Sequence, residues 1–174
     1  MNANEIELKA QEILGDLNLT SIPVRVEEVA KKHGIQISDA PSKEFSGILI
    51  RKDGKSLLGV NSTESEARQR FTIAHELGHY FLHSNRDVFV EFVEHRETSK
   101  PGKKDRKPRD LKETQANVFA AALLMPREQL EKDFVSITKN GILDDQHLEV
   151  LAEKYDVSPI AMNFRILNLK LPRS

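Results

Sequence analysis

Arg70-Phe71-Thr72-Ile73-Ala74-His75-Glu76-Leu77-Gly78-His79-Tyr80-Phe81-Leu82-His83 contains, at His75 to His79, two histidines four residues apart with a glutamate directly after the first. On an α-helix each residue turns about 100° and rises about 1.5 Å, so His75 and His79 share one face about 6 Å apart along the axis. Both imidazoles then reach one metal ion. A catalytic zinc usually takes three protein ligands plus a water, so a third ligand has to come from elsewhere in the chain. Zinc lowers the pKa of its bound water from about 15.7 to about 7, which makes a nucleophile for a carbonyl carbon near neutral pH. Glu76, beside the first ligand, is the candidate general base that takes the water's proton and passes it to the leaving amine. Taken alone, the five-residue pattern also fits an ordinary amphipathic helix whose histidines fall four apart by chance.

The surrounding residues specify the helix. Thr63 to Glu66 fits the Ser/Thr-x-x-Glu capping pattern after an Asn61-Ser62 turn, which predicts the helix start there. Phe71, Ala74, Leu77, Phe81 and Leu82 form an apolar stripe for a core, and His75 and His79 flank it. Gly78 costs a helix interior roughly 1 kcal/mol relative to Ala. Close approach of another backbone or of a substrate strand explains it; tolerated drift is the alternative.

Downstream, Glu113-Thr-Gln-Ala-Asn-Val-Phe-Ala-Ala-Ala-Leu-Leu-Met-Pro126 predicts a second helix, with Glu113 in its first turn and Pro126 as its stop. Asn117, one turn after Glu113, is placed to orient a histidine ligand through its free ring nitrogen. By residue type alone Glu113 competes with Glu91, Glu94, His83 and His95 for the third ligand position, or serves as a solvated carboxylate near a helix N-terminus.

The run Arg70 to His83, the stretch from Glu113 to Pro126, Phe45-Ser46-Gly47 and Val60-Asn61 together resemble the ImmA/IrrE family of metallopeptidases over roughly residues 20 to 170. The resemblance implies a gluzincin-like site in which His75, His79 and Glu113 hold one Zn2+ per chain and Glu76 is the catalytic glutamate. It also implies a protein substrate, a helix-turn-helix repressor whose cleavage relieves repression of stress-response or mobile-element genes. The expected fold is α+β and zincin-like: mainly helical, with a small antiparallel sheet of about three strands beside the zinc helix and a helix-turn-helix-like C-terminal part.

Composition narrows the chemistry further. At 174 residues and 39% hydrophobic, the chain fits one core of ordinary size, and residues 1–174 are read as one metallopeptidase domain. Zero cysteines exclude disulfides, thiolate ligands and a cysteine nucleophile, which leaves His and carboxylate as strong zinc ligands. There is no nucleophile-elbow or phosphate-loop motif. No apolar run approaches the roughly 18 residues of a membrane span, and the polar N-terminus lacks a signal-peptide pattern, so no membrane partner and a cytoplasmic location are expected. A net charge of −1 gives no global attraction to nucleic acid.

Along the chain, residues 4–17 and about 25–33 read as helices, the second stopped by Gly34, and Ile35 to Ile37 begins a strand. Phe45 to Arg51 and Ser56 to Val60 read as a hairpin around Asp53-Gly54. Gly47 to Ile50 is a candidate edge strand for pairing with an extended substrate, or a purely structural strand. Val88 to Val93 predicts a short strand. Residues 96–112 hold eight basic residues against three acidic ones, with Pro101, Gly102 and Pro108, and read as a mobile basic loop: lid, docking site or simple insertion. The C-terminal helical part, about 142–170, has a helix-turn-helix cadence, but Ile160 to Leu169 is mostly apolar and suits core packing better than base readout. Direct DNA binding is therefore the secondary expectation. Tyr80, His83 and Tyr155 are candidates for stabilising an oxyanion. Two functions stand: a zinc endopeptidase acting on a protein regulator, or a non-catalytic regulator that binds DNA or a repressor, with structural zinc.

Overall fold

The computed structural model describes residues 1–83, 87–92, 108–138 and 143–172. Among the described residues, seven helices and four strands run in the order α1 (Ala3–Asp16), α2 (Val26–Lys32), β1 (Ile35–Ala40), β2 (Phe45–Lys52), β3 (Lys55–Asn61), α3 (Glu66–Leu82), β4 (Val88–Phe92), α4 (Pro108–Leu124), α5 (Arg127–Ile137), α6 (Asp145–Tyr155) and α7 (Pro159–Leu169). The fold is α+β, as the sequence predicts.

The sheet differs from the expectation in two ways. It has four strands in the order β1-β3-β2-β4, and it is mixed, because β1 runs parallel to β3 with Ile35 opposite Ser56. The β2–β3 hairpin is antiparallel, and its turn places Asp53 and Gly54 at φ 51° and 74°, the conformation that the Asp-Gly pair favours. β4 pairs antiparallel with the other side of β2. Gly47 to Ile50 is therefore an interior segment, since β3 and β4 take both of its ladders, and it cannot receive a substrate strand. Among the described residues, β4 pairs only with β2 and is the edge strand on that side.

α3 begins at Glu66 with Ser65 as its N-cap residue, rather than at a Thr63 cap. The Asn61 carboxamide oxygen accepts from both the Thr63 backbone N–H (3.1 Å) and its hydroxyl (2.8 Å), which holds Thr63 in the turn. At the other end Arg51 of β2 donates to the carbonyls of His79, Tyr80 and His83. The Tyr80 and His83 carbonyls are orphan acceptors of the helix C-terminus, and the His79 carbonyl already accepts from the His83 N–H, so the sheet holds the end of the helix. α4 starts at Pro108, five residues before the expected start, with proline near its first turn as helices tolerate. Glu113 is thus inside α4. Of the basic segment expected over 96–112, residues 108–112 belong to α4 and the rest lie outside the described residues.

α3 and α4 pack at backbone distance: a Cβ on Gly78 would sit 2.9 Å from Ala116 Cα and 3.0 Å from its carbonyl oxygen. That contact is the reason for the glycine. Below it Leu77, Phe119, Leu123 and Leu124 are fully buried with Tyr155 and Leu151 of α6. Each such apolar side chain contributes about 1.5–3 kcal/mol of transfer free energy, and together they hold the two helices in one register. α6 and α7 meet at Asp156 in the left-handed conformation, followed by Ser158, whose hydroxyl caps α7. Met162 and Ile166 face the core, and Arg165 is spent internally on Glu7 and the Met125 carbonyl. Ile160, Phe164 and Leu167 face outward, so the exposed side of α7 is largely apolar, with Asn168 among its few groups able to read a base edge. No helix among the described residues is long and apolar enough to cross a membrane.

Candidate metal centre

His75 and His79 lie on the face of α3 that meets α4, and Glu113 comes from α4 opposite them. His75 Nε2 is 3.1 Å from His79 Nε2 and 3.2 Å from Glu113 Oε2, and His79 Nε2 is 3.4 Å from the same oxygen. Three atoms placed tetrahedrally about 2.0–2.1 Å from one ion stand about 3.3–3.4 Å apart. The triangle therefore has the size that one such ion requires, and these three residues could hold it.

Without an ion the same atoms share protons. Burial alone would lower the basicity of His75, but its hydrogen bond to Glu113 and the nearby carboxylates of Glu91 and Glu76 outweigh this and push it up to about 9. Both of its ring nitrogens then carry protons, one directed at Glu113 Oε2 and the other at Asn117 Oδ1 (2.9 Å). Burial would raise Glu113, but the hydrogen bond from His75 and the proximity of the His79 imidazole hold it well below the usual carboxylate range. His79 is lowered by its burial. Phe89 of β4 stacks on the His79 ring at 4.3 Å between centroids and closes that side of the site.

Glu76 follows His75 on α3 and is 0% exposed, and among the described residues neither of its carboxylate oxygens has a hydrogen-bond partner. Burial pushes its pKa up to about 8, against the opposing pull of His75. The space beside it exists because residue 47 has no side chain: a Cβ there would lie 3.0 Å from Glu76 Oε1 and would overlap Thr72 Cγ2. A buried, unpaired carboxyl is costly, on the order of a few kcal/mol, and such groups concentrate where chemistry needs them.

The competing acids and histidines have other attachments. Glu91 of β4 lies within 4.8 Å of ligand atoms of His75 and Glu76, but its Oε1 accepts from Arg68 of α3. His83 bonds to Gln115 and to the far nitrogen of His79. Glu94 and His95 lie outside the described residues. Of the oxyanion candidates, Tyr155 is fully buried and donates to Asp133 (2.8 Å), and Tyr80 lies under the Arg51 guanidinium. Sequence reading missed Arg68, Gln115 and the role of Gly47. Arg68 had a findable signal, since it precedes His75 by two helical turns and so shares its face.

Comparison with known proteins agrees with this architecture. The family model of the IrrE N-terminal-like domain, peptidase family M78, matches residues 30–167. The radiation response metalloprotease IrrE of Deinococcus deserti is 32% identical over 113 residues, which is 65% of this chain and 36% of that protein. The chain thus spans little more than a third of the length of this curated relative. A transcriptional regulator of Mycobacterium tuberculosis shares the fold, with a TM-score of 0.63 over 94% of this chain and 46% of the other, at 12% identity. The family match covers most of the chain and includes every residue of the site described above, so the chain belongs to the peptidase M78 family, as an IrrE N-terminal-like domain.

Proposed function

We propose that the chain is a zinc-dependent endopeptidase, acting in the cytoplasm on a protein substrate, a helix-turn-helix transcriptional repressor, and so relieving repression of stress-response or mobile-element genes. His75, His79 and Glu113 hold one zinc ion. Zinc bound there supplies the Lewis acidity that makes a water nucleophilic near neutral pH and polarises a substrate carbonyl.

The observation that carries this reading is Glu76, buried, unpaired and adjacent to the three candidate ligands. Its raised basicity, about 8, suits a group that takes a proton from water and returns it to a leaving amine. Asn117 orients His75 by accepting from Nδ1, which leaves Nε2 for the metal. The outer edge of β4 offers the ladder for an extended substrate strand, because Phe89 and Glu91 already face the site. A purely structural metal site would need no base, and burying Glu76 would then cost stability for nothing.

The test is cleavage of the repressor encoded beside the chain's gene by zinc-loaded protein, with and without chelator. Cleavage that requires zinc and disappears in Glu76→Gln, with zinc content unchanged, is expected. Cleavage retained by Glu76→Gln would falsify the general-base assignment.

A further inference from the structure

One buried group near the site has no part in the chemistry above. His83, one turn beyond His79, is 5% exposed. Its Nδ1 is 3.2 Å from His79 Nδ1, and its Nε2 is 3.0 Å from Gln115 Oε1. The Gln115 amide nitrogen in turn donates to the backbone carbonyl of Met1 at 2.8 Å.

The sense of this chain of hydrogen bonds follows from its far end. A backbone carbonyl only accepts, so the Gln115 NH2 has to face Met1; with the amide reversed, two oxygens would meet. Gln115 Oε1 then faces His83 and only accepts, so the His83 proton sits on Nε2. His83 Nδ1 is left as a bare acceptor, and the proton between the two rings belongs to His79 Nδ1. His79 therefore presents an unprotonated Nε2 toward His75 and Glu113, which is the nitrogen a metal would take.

We propose that His83 and Gln115 are positioning residues that fix the tautomer and ring plane of His79, so that its Nε2 is committed to the metal before any metal arrives. This rests on the zinc reading above. It also gives α4 three tasks at one crossing: Glu113 as ligand, Asn117 orienting His75 directly, and Gln115 orienting His79 through His83. The usual orienting partner of a zinc-bound histidine is a carboxylate, a backbone carbonyl or water. A neutral imidazole in that place adds no negative charge behind the ligand.

The test has two readouts. Nitrogen-15 NMR of the histidine rings in metal-free and zinc-loaded protein is expected to show His79 protonated at Nδ1 and His83 protonated at Nε2 only. Zinc affinity from chelator competition is expected to fall about 10- to 100-fold in His83→Phe, which keeps the ring beside Phe89, and in Gln115→Leu. His83→Asn, which restores an acceptor for His79, should recover most of that loss. A His83 proton on Nδ1, or wild-type affinity in both His83→Phe and Gln115→Leu, overturns the proposal while leaving the zinc site standing. A wild-type chain that takes up no zinc overturns both.

Discussion

Gly78→Ala is the substitution whose outcome the helix crossing determines most sharply. In an open helix it would stabilise by roughly 0.8–1.0 kcal/mol through propensity alone. Here the new Cβ would stand 2.9 Å from Ala116 Cα, where ordinary contact begins at 3.4 Å, so the helices have to part by about 0.5 Å (3.4 − 2.9). Both close atoms, Cα and the carbonyl oxygen, are backbone, so no rotamer change absorbs the overlap. Overpacking of this kind costs about 1–3 kcal/mol, which leaves a net loss of about 0–2 kcal/mol. The metal site is more sensitive than stability, because ligand distances tolerate about ±0.2 Å and Glu113 travels with α4. Zinc affinity should fall at least tenfold. Ala116→Gly should not rescue it, since it removes only the 3.3 Å contact with the Ala116 Cβ and leaves both backbone ones. Urea denaturation of the metal-free protein and chelator competition measure the two effects separately. A Gly78→Ala protein that is more stable by about 1 kcal/mol and binds zinc as the wild type does would refute the close crossing as the glycine's reason.

Gly47→Ala should act on the base and not the ligands: its Cβ meets Glu76 Oε1 at 3.0 Å, so kcat should fall by roughly 10- to 100-fold with zinc affinity within about twofold, read by cleavage kinetics and competition. The Glu76 carboxyl rises from 4.5 to about 8 on folding, so its cost to the metal-free protein enters as pH rises above about 4.5 and is complete above about 8. Glu76→Gln should therefore stabilise the metal-free protein at about pH 9, by an amount on the order of a few kcal/mol, and hardly at all at about pH 4, as measured by denaturant titration. His75, raised from 6.5 to about 9, works in the opposite sense: its contribution is full below about 6.5 and is lost as pH rises through about 9. Because zinc needs His75 unprotonated, zinc uptake near neutral pH should release a proton, and affinity should climb with pH toward about 9, as a weakly buffered titration would record.

What the residues disclosed, and what they concealed, has physical causes. The four-residue spacing of His75 and His79 places both on one helical face whatever the tertiary fold, and a glycine inside that helix reads as close approach of another backbone or of a substrate strand, with tolerated drift as the alternative. The hairpin was equally legible, because Asp53-Gly54 demands positive φ angles that few other pairs accept. Strand order was not legible: nothing local to Gly47–Ile50 says that β4, which follows α3, returns to cover its outer ladder. The strand beginning at Ile35 was legible, but its parallel pairing with β3 and its extension through Ser38 and Asp39, weak strand formers, were not, because both depend on β3 lying alongside. The start of α4 was misread because charge and proline between 96 and 112 look like loop chemistry, whereas proline near a helix start is also well tolerated. Residue types alone could not rank Glu113 above Glu91. The difference lies in Arg68, which takes Glu91 as its partner across a sequence gap of 23 residues.

Zinc-edge anomalous diffraction from crystals of the zinc-loaded wild-type protein locates the metal itself. One peak per chain is expected, about 2.0–2.2 Å from His75 Nε2, His79 Nε2 and a Glu113 carboxylate oxygen, with Glu76 near but not bonded. No peak there, or a peak held by Glu76 and Glu91 with Glu113 turned away, would rule out the His75, His79 and Glu113 site.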